Sequence, residues 1–287
     1  MKVDFFIVGA PKAGTTSLYH YLNEHPEIEM SLQKEPDFFS DIEIAKQGMY
    51  YGKNRISTIE EYHQLFNDNS LLKGEASVSY LFYKGVAQKI KEYNANAKII
   101  IMLRNPVDRA FSHYLMDYRL GIVSDSFEDI IRKKSKSKYK DLFYQQYVEV
   151  SEYANQVKEY LNIFDSNNVL ILDYDNLKKD IYSEVKKVYK FLSVSVDDNV
   201  DLEKKHNTYS MPKNNFIRII YSFVFLRRVL TFLFPSKLVK KVRSILFKEE
   251  NKPKLDVETR LELNEYFKSD VKKLSEILKK DFTKWTK

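Results

Sequence analysis

One segment near the amino terminus limits the folds that this chain can adopt. Residues 5–8 (FFIV) form an apolar run that indicates a buried strand, and residues 15–23 have the pattern of a following helix. The loop between them contains Gly9, Lys12 and Gly14. Backbone N–H groups at a helix N-terminus are unpaired and carry partial positive charge, and glycine lets the backbone approach an oxyanion closely. The segment therefore predicts a phosphate-binding strand–loop–helix unit, similar to a P-loop in outline.

The loop differs from a Walker A loop in the position of its lysine. Gly9 and Gly14 have the spacing of the two glycines in G-x-x-x-x-G-K-[ST], but Thr15 stands where the Walker lysine would follow. Lys12 lies two positions before the second glycine instead. A capped helix start with an incidental lysine is the structural alternative. We favour the phosphate site because a strand, two glycines, a lysine and a threonine pair coincide.

The rest of the chain alternates apolar β-branched runs with helical stretches. This alternation predicts an α/β fold with a central parallel sheet flanked by helices. Further strands are expected at 71–74, 98–103 and 169–172. Helices are expected at 85–93, 106–118, 151–164, 181–192 and 257–278. We predict a single domain over residues 1–287, with a basic helical C-terminal region at about 214–287.

A second anion site is predicted where the strand at 98–103 ends. Arg104 follows this strand directly, and ligands of open α/β sheets bind at the carboxyl ends of the strands. Ser112 lies eight residues further on, about two helical turns, so its hydroxyl can reach the same face. An arginine fork with one neutral donor suits a terminal phosphate. Arg109 is expected to be structural, paired with Asp108 or another carboxylate.

Charge and cysteine content narrow the functional classes. The chain has 47 Lys and Arg residues against 40 Asp and Glu, a net charge of +7. This excess permits an anionic ligand, a nucleic acid or an acidic membrane without selecting one. The absence of cysteine excludes disulfides, thiolate catalysis and Cys-ligated metal sites. No apolar stretch approaches about 18 residues, so no membrane-spanning helix is expected.

Two basic stretches hold much of the excess charge. Residues 132–140 carry one arginine and five lysines, and we interpret them as a solvated, mobile surface loop, with a substrate-steering patch as the alternative. Residues 216–246 combine apolar residues with seven Arg and Lys residues and contain no Asp or Glu. Two interpretations of 216–246 remain: helices that pack on the sheet with a basic outer face, or a basic amphipathic surface that contacts an anionic membrane or glycan.

The two phosphate motifs together resemble those of sulfotransferases that use 3′-phosphoadenosine 5′-phosphosulfate (PAPS). Residues 11–18 (PKAGTTSL) resemble the 5′-phosphosulfate loop of that family, and residues 103–114 (LRNPVDRAFSHY) resemble its 3′-phosphate motif. Residues 35–39 (EPDFF) and 74–80 (GEASVSY) look like blocks of the heparan-type glycan sulfotransferases. Similarity to bacterial members continues to Trp285, so the resemblance spans nearly the whole chain.

The resemblance implies in-line transfer of the sulfuryl group of PAPS to a hydroxyl or amine, with 3′,5′-ADP as product and no metal. It assigns Glu35 as the general base and Lys12 as the cation at the bridging oxygen. The cofactor-binding residues that it implies are Lys12, Ala13, Gly14, Thr15, Thr16, Ser17, Arg104, Ser112, Asn207 and Lys213. It also implies a glycan, a glycolipid or another small molecule as acceptor, and no nucleic acid. A PAPS supply implies a cytoplasmic protein, and the amphipathic interpretation of 216–246 adds contact with the inner face of the membrane.

One position departs from the heparan-type pattern. Many heparan-type enzymes have a lysine after the glutamate of the Glu-x-[Ser/Thr] block, whereas this chain has Ala76, and Lys73 is not an obvious substitute. The departure weakens the case for a heparan acceptor. Two other functional classes remain open. A P-loop-type nucleotide kinase would need a lysine after Gly14 and an acidic Mg²⁺ ligand. A non-catalytic protein that binds anionic glycans or membranes would use the basic surface alone.

Overall fold

A five-stranded parallel sheet forms the centre of the fold, in the strand order β2-β3-β1-β4-β5. The computed structural model describes residues 1–47, 55–67, 70–197, 200–202, 210–214, 217, 246–249 and 252–287. The strands of the sheet are β1 (Phe5–Gly9), β2 (Ile28–Met30), β3 (Leu72–Ala76), β4 (Lys98–Leu103) and β5 (Val169–Asp173). The predicted central parallel sheet is therefore confirmed.

Helices connect and flank these strands. In the described part of the chain they are α1 (Thr15–Asn23), α2 (Asp41–Lys46), α3 (Ile59–His63), α4 (Val86–Tyr93), α5 (Pro106–Arg119), α6 (Phe127–Ile131), α7 (Lys140–Tyr147), α8 (Tyr153–Ile163), α9 (Tyr174–Lys179), α10 (Ile181–Leu192) and α11 (Val257–Leu278). Short 3₁₀ helices occur at Phe38–Ser40, Glu149–Ser151, Ser166–Asn168 and Thr283–Thr286. Helix α11 packs against α8 and α5. Within the described ranges, no helix has the length and apolar character needed to cross a membrane.

The central strands are apolar because helices cover both faces of the sheet. Every residue of β1 is buried, and so is every residue of β4 except the first. Continuous apolar runs of this kind are typical of parallel strands in α/β folds. Ile7 of β1 lies beside Ala76 of β3 on one side and beside Ile100 of β4 on the other. The carboxyl ends of these three strands therefore meet at one edge of the sheet.

The turn from β4 into α5 is fixed by its capping residue. Asn105 is the N-cap, and its side-chain oxygen accepts a hydrogen bond from the N–H of Asp108 at 3.1 Å. Pro106 occupies the first helical position, where its missing N–H removes no hydrogen bond. The amide group of Asn105 also donates to the carbonyl of Trp285 at 2.8 Å. The segment after α11 thus braces the turn that carries Arg104.

The basic stretch at 132–140 is for the most part a surface loop, as predicted. It begins directly after α6 and runs into the first residue of α7. Arg132 pairs with Glu262 at 2.9 Å and with Glu258 at 3.4 Å, both on α11. Acidic partners on α11 therefore hold the first residue of this loop, and the mobility of the remainder stays a prediction.

The C-terminal region is not helical throughout. A second sheet has two antiparallel strands, β6 (Ser210–Pro212) and β7 (Phe247–Glu249). Strand β7 lies inside the region predicted to be helical, so that prediction is wrong at this position. Pairing with a partner distant in sequence overrides the local pattern here. The stretch 216–246 lies outside the described residues except for 217 and 246.

Candidate active site

The loop between β1 and α1 presents a helix N-terminus to a cavity. Gly14 is the N-cap of α1, has a φ of 92° and provides no side-chain cap. A Cβ atom at this position would lie 2.9 Å from Cδ2 of Tyr174, so the backbone angle and the available space both require glycine. The next three residues, Thr15, Thr16 and Ser17, line the cavity. This helix start is therefore suited to bind an anion.

Lys12 is the cation of this loop and is half-buried. Its φ is 68°, a left-handed conformation that is uncommon for a residue with a side chain. Its Nζ lies 3.4 Å from Sδ of Met116 on α5. Burial, and next the positive charge of Arg119, lower the pKa of Lys12 to about 8, against the opposing charges of Asp117 and Glu35. A poorly solvated ammonium group interacts strongly with an anion that enters its site.

Arg104 stands at the carboxyl end of β4 and faces this loop. Its Nη1 donates to the carbonyl of Lys12 at 2.9 Å, and its Cζ lies 4.8 Å from the ring centroid of Tyr174. These two contacts fix the orientation of the guanidinium group. Ser112, about two turns into α5, lines the same cavity. The predicted second anion site therefore lies next to the first.

Glu35 lies in a tight turn on another side of the cavity. Glu35 and Asp37 both have left-handed backbone angles, with φ of 59° and 57°. The N–H of Glu35 donates to the carbonyl of Ala76 at 2.9 Å, which anchors the turn to the end of β3. The carboxylate lines the cavity and forms an ion pair with Lys34, with Nζ and Oε1 2.5 Å apart. The anchored turn and this ion pair together fix where the Glu35 side chain lies.

A buried hydrogen-bond network supports this turn from behind. The N–H of Asp37 donates to Oγ of Ser77 at 3.0 Å, and the Ser77 hydroxyl donates to Oε1 of Glu75 at 2.5 Å. The hydroxyl of Tyr62 donates to the other oxygen of Glu75. Burial raises the pKa of Glu75 to about 7, although these hydroxyl donors oppose the rise. Glu75 is fully buried and does not line the cavity, so it supports the shape of the turn.

These elements surround one cavity of about 980 Å³, which is large enough for a nucleotide and part of a second substrate. The predicted site residues on its wall are Lys12, Gly14, Thr15, Thr16, Ser17, Glu35, Arg104 and Ser112. Ala13 is buried away from the wall, and its N–H donates to the carbonyl of Ala10 at 3.3 Å. Lys213 is exposed and does not line the cavity. Asn207 lies outside the described residues.

The wall also contains residues outside the predicted site set, among them Tyr174, Arg119 and Lys252. Tyr174 follows β5 directly, and a position just after a strand is a signal from which it can be found. Arg119 lies seven residues after Ser112 on α5, about two turns, so the helical repeat indicates it. No local pattern marks Lys252, whose pKa is lowered to about 8 by burial and then by the charge of Arg104.

Arg109 on α5 is structural, as predicted, although its partners differ from the expected ones. It is fully buried, and its Nη2 donates to the carbonyls of Gln146 at 2.6 Å and Tyr147 at 2.7 Å. Its Nε donates to Oγ of Ser151 at 2.6 Å. Asp108, the predicted partner, pairs with Arg260 at 2.8 Å. Arg109 therefore holds the end of α7 and the 3₁₀ helix after it against α5.

His113 lies on the cavity wall, so it is the histidine to weigh against Glu35 as a base. Burial, and then the charges of Arg109 and Lys12, lower the pKa of His113 well below its ordinary value. An imidazole that resists protonation this strongly is a weak base. The lowered pKa therefore argues against His113 as the base, and Glu35 stays the candidate that the resemblance assigns.

The basic stretch at 132–140 does not form part of this wall. None of its residues lines the cavity, although the structure describes all of them. The stretch therefore does not contact a substrate from the cavity wall, and the alternative that it steers a substrate from outside stays a prediction.

A family model and the curated relatives that resemble this chain all belong to sulfotransferases. The family model described as "Sulfotransferase domain" matches residues 2–277. Human carbohydrate sulfotransferase 15 is 25% identical over 243 residues, which covers 66% of this chain and 43% of that protein. The bifunctional heparan sulfate N-deacetylase/N-sulfotransferase 1 of Caenorhabditis briggsae is 24% identical over 199 residues, which covers 67% of this chain and 22% of that protein. This chain therefore spans less than half the length of either relative.

Solved structures agree with the family match over the whole chain. The crystal structure of a sulfotransferase from Alicyclobacillus acidocaldarius matches with a TM-score of 0.73 and 28% identity, covering 100% of both chains. The sulfotransferase domain from the curacin biosynthetic pathway has the same fold, with a TM-score of 0.53 and 14% identity, over 98% of this chain and 99% of that one.

Proposed function

The chain belongs to the sulfotransferase domain family, and from this membership we propose that it transfers the sulfuryl group of PAPS to a hydroxyl or amine and releases 3′,5′-ADP. One observation carries the proposal: the Lys12 loop, Arg104 with Ser112, and Glu35 line the same cavity. PAPS carries anionic groups on both the 3′ and 5′ positions of its ribose, so it needs two anion sites. Transfer to an acceptor needs a base near them, and Glu35 supplies a carboxylate.

Each residue of the site has a separate role in the proposed sulfuryl transfer. The start of α1, with Thr15 and Thr16, holds the 5′-phosphate, while Arg104 and Ser112 hold the 3′-phosphate. Lys12 lies at the bridging oxygen between phosphorus and sulfur, where negative charge grows as the bond breaks. A fixed cation at that oxygen stabilises the transition state more than the ground state. Glu35 removes the proton of the acceptor as its oxygen or nitrogen attacks sulfur.

The two other functional classes have less support than sulfuryl transfer. A kinase of the Walker type places a lysine directly after the second loop glycine, whereas Thr15 occupies that position in this chain. A purely binding protein needs no carboxylate beside a cation in its cavity, and here Glu35 and Lys12 line the same wall. Family membership favours transfer over both alternatives.

We propose a glycan or glycolipid as the acceptor. The names of the two curated relatives, a carbohydrate sulfotransferase and a heparan sulfate N-sulfotransferase, support a carbohydrate. The match of the family model to residues 2–277 supports a single domain over residues 1–287. Because the proposed reaction consumes PAPS, we propose a cytoplasmic location, with the 216–246 stretch as a contact for the inner face of the membrane.

Transfer of label from PAPS tests the proposed function. The chain is incubated with ³⁵S-labelled PAPS and extracts of cell-envelope polysaccharide and lipid, and the products are separated and counted. We expect labelled polysaccharide or lipid together with an equal amount of 3′,5′-ADP. Transfer of phosphate from labelled ATP to the same extracts, with no transfer from PAPS, would favour the kinase class instead.

Arg104→Gln should remove most of the preference for a 3′-phosphate. A charge-assisted hydrogen bond contributes about 1.5–3 kcal/mol, so we expect a loss in affinity for 3′,5′-ADP of about 10- to 150-fold. The affinity for 5′-AMP, which lacks the 3′-phosphate, should change little. Calorimetric titration of both nucleotides measures the difference. Arg132→Gln, a change at an arginine that does not line the cavity, serves as the matched control. An equal loss of affinity for both nucleotides would mean that Arg104 does not bind the 3′-phosphate.

A further inference from the structure

Heparan-type enzymes have a lysine where this chain has Ala76, so that position provides no cation here. Ala76 occupies it at the end of β3, is fully buried, and uses its carbonyl to accept the N–H of Glu35. Lys73, three residues earlier, is buried and pairs with Glu29 at 3.7 Å. Lys73 does not line the cavity. A second cation at the reacting group must therefore come from another element.

The cavity wall offers four further cations in the described part of the chain: Arg55, Arg119, Lys178 and Lys252. Arg55 donates to both carboxylate oxygens of Asp41, at 2.7 and 2.6 Å. Lys252 also lines a smaller pocket with Arg104 and Asp108, on the side of the predicted 3′-phosphate site. Lys178 lies in the last turn of α9. Arg119 is therefore the remaining cation to consider beside the predicted 5′-phosphosulfate loop.

Arg119 lies on the part of α5 that contacts Lys12. It is one helical turn after Met116, whose Sδ is 3.4 Å from Nζ of Lys12. Arg119 lowers the pKa of Lys12 more than Arg104 does. The same helix places Ser112 two turns earlier, so one face of α5 carries a predicted 3′-phosphate contact and, further along, a guanidinium near Lys12.

We propose that Arg119 is a second catalytic cation, which contacts the sulfuryl oxygens of PAPS during transfer and replaces the lysine that Ala76 displaces. The inference rests on the proposed function. In the transfer, the bond from sulfur to the bridging oxygen breaks and its electron pair stays on 3′,5′-ADP. A bond from the acceptor to sulfur forms, and the acceptor proton goes to Glu35. Lys12 neutralises the bridging oxygen, while the fork of Arg119 binds two of the three sulfuryl oxygens.

Arg119→Gln should lower kcat by about 100-fold, a size typical for the loss of one transition-state donor. Arg119→Lys, which keeps the charge, should recover part of this loss. A readout that needs no acceptor is the ratio of affinities for PAPS and 3′,5′-ADP, measured by calorimetry. Only PAPS carries a sulfuryl group, so Arg119→Gln should lower affinity for PAPS and leave that for 3′,5′-ADP unchanged.

The pH profile gives a third readout. Removing the positive charge of Arg119 should raise the pKa of Lys12 and move the alkaline limb of kcat/KM to higher pH. The other charged and titratable groups that act on Lys12 remain in the variant: Asp117, His113, Glu35, Arg104 and Lys252. Arg132→Gln again serves as the control and should move none of the three readouts.

The outcomes separate this inference from the proposed function. If the wild-type chain binds neither PAPS nor 3′,5′-ADP, the proposed function fails. If it binds both and Arg119→Gln leaves kcat, the affinity ratio and the alkaline limb unchanged, only the role of Arg119 is overturned. A structural role alone is indicated if Arg119→Gln lowers the unfolding temperature and weakens binding of both nucleotides equally, and this result also overturns the proposal.

Discussion

Glu35→Gln should lower turnover by about 10²- to 10⁴-fold, the range typical for removal of a general base. The amide is nearly the same size as the carboxylate but cannot accept the proton of the acceptor. Glu35 lines the cavity, and its carboxylate pairs with Lys34. Affinity for 3′,5′-ADP should stay unchanged, because Glu35 is not among the residues proposed to bind either phosphate. Initial rates of label transfer and calorimetric titration measure the two quantities.

The ion pair of Glu43 with Lys89, at 2.9 Å, provides a matched control for this variant. Glu43 lies on α2 and does not line the cavity. Glu43→Gln therefore removes a comparable carboxylate without touching the site, and turnover should remain at the wild-type level. Wild-type turnover in Glu35→Gln would assign proton removal to another group.

Lys12→Met should lower kcat by about 10²- to 10³-fold, because the bridging oxygen loses the cation that stabilises its growing charge. Methionine has a similar length and can lie against Met116 without the ammonium group. The variant should also lack the alkaline limb that Lys12 gives the wild-type chain. Lys12 acts only when protonated and its pKa is about 8, so wild-type kcat/KM should fall as the pH rises through about 8. Bound PAPS is anionic and favours the ammonium form, so the limb in kcat should lie at higher pH.

A pH–rate profile of both chains measures this prediction. Lys268→Met, at an exposed lysine of α11 that pairs with Glu265, is the control and should keep the wild-type profile. An alkaline limb in Lys12→Met at the wild-type pH would assign that ionisation to another group.

Local sequence patterns predict those elements whose residues are all neighbours in the chain. The helix at 15–23, the continuous apolar strand at 98–103 and the periodic helix at 257–278 are each indicated by their own residues, and the structure confirms them. Strand β2 has three residues, too few for a period to be detected. Strand β7 depends on a partner distant in sequence. Local sequence patterns therefore do not predict strands that depend on a partner distant in the chain.

The same distinction applies to the site. Lys12 and Arg104 can be predicted because each follows a buried strand and the carboxyl ends of parallel strands share an edge. The hydrogen bond of Arg104 to the Lys12 carbonyl, and the ring of Tyr174 that limits position 14 to glycine, arise only when three strands are assembled. Arg119 has no motif of its own, because its role depends on which face of α5 meets the Lys12 loop.

Calorimetric titration of the wild-type chain with 3′,5′-ADP, 5′-AMP and ATP tests the central claim most directly. Two anion sites built for a nucleotide with 3′- and 5′-phosphates predict that 3′,5′-ADP binds far more tightly than either of the other two. Equal or tighter binding of ATP would contradict the account, because it would show that the cavity does not select the 3′-phosphate.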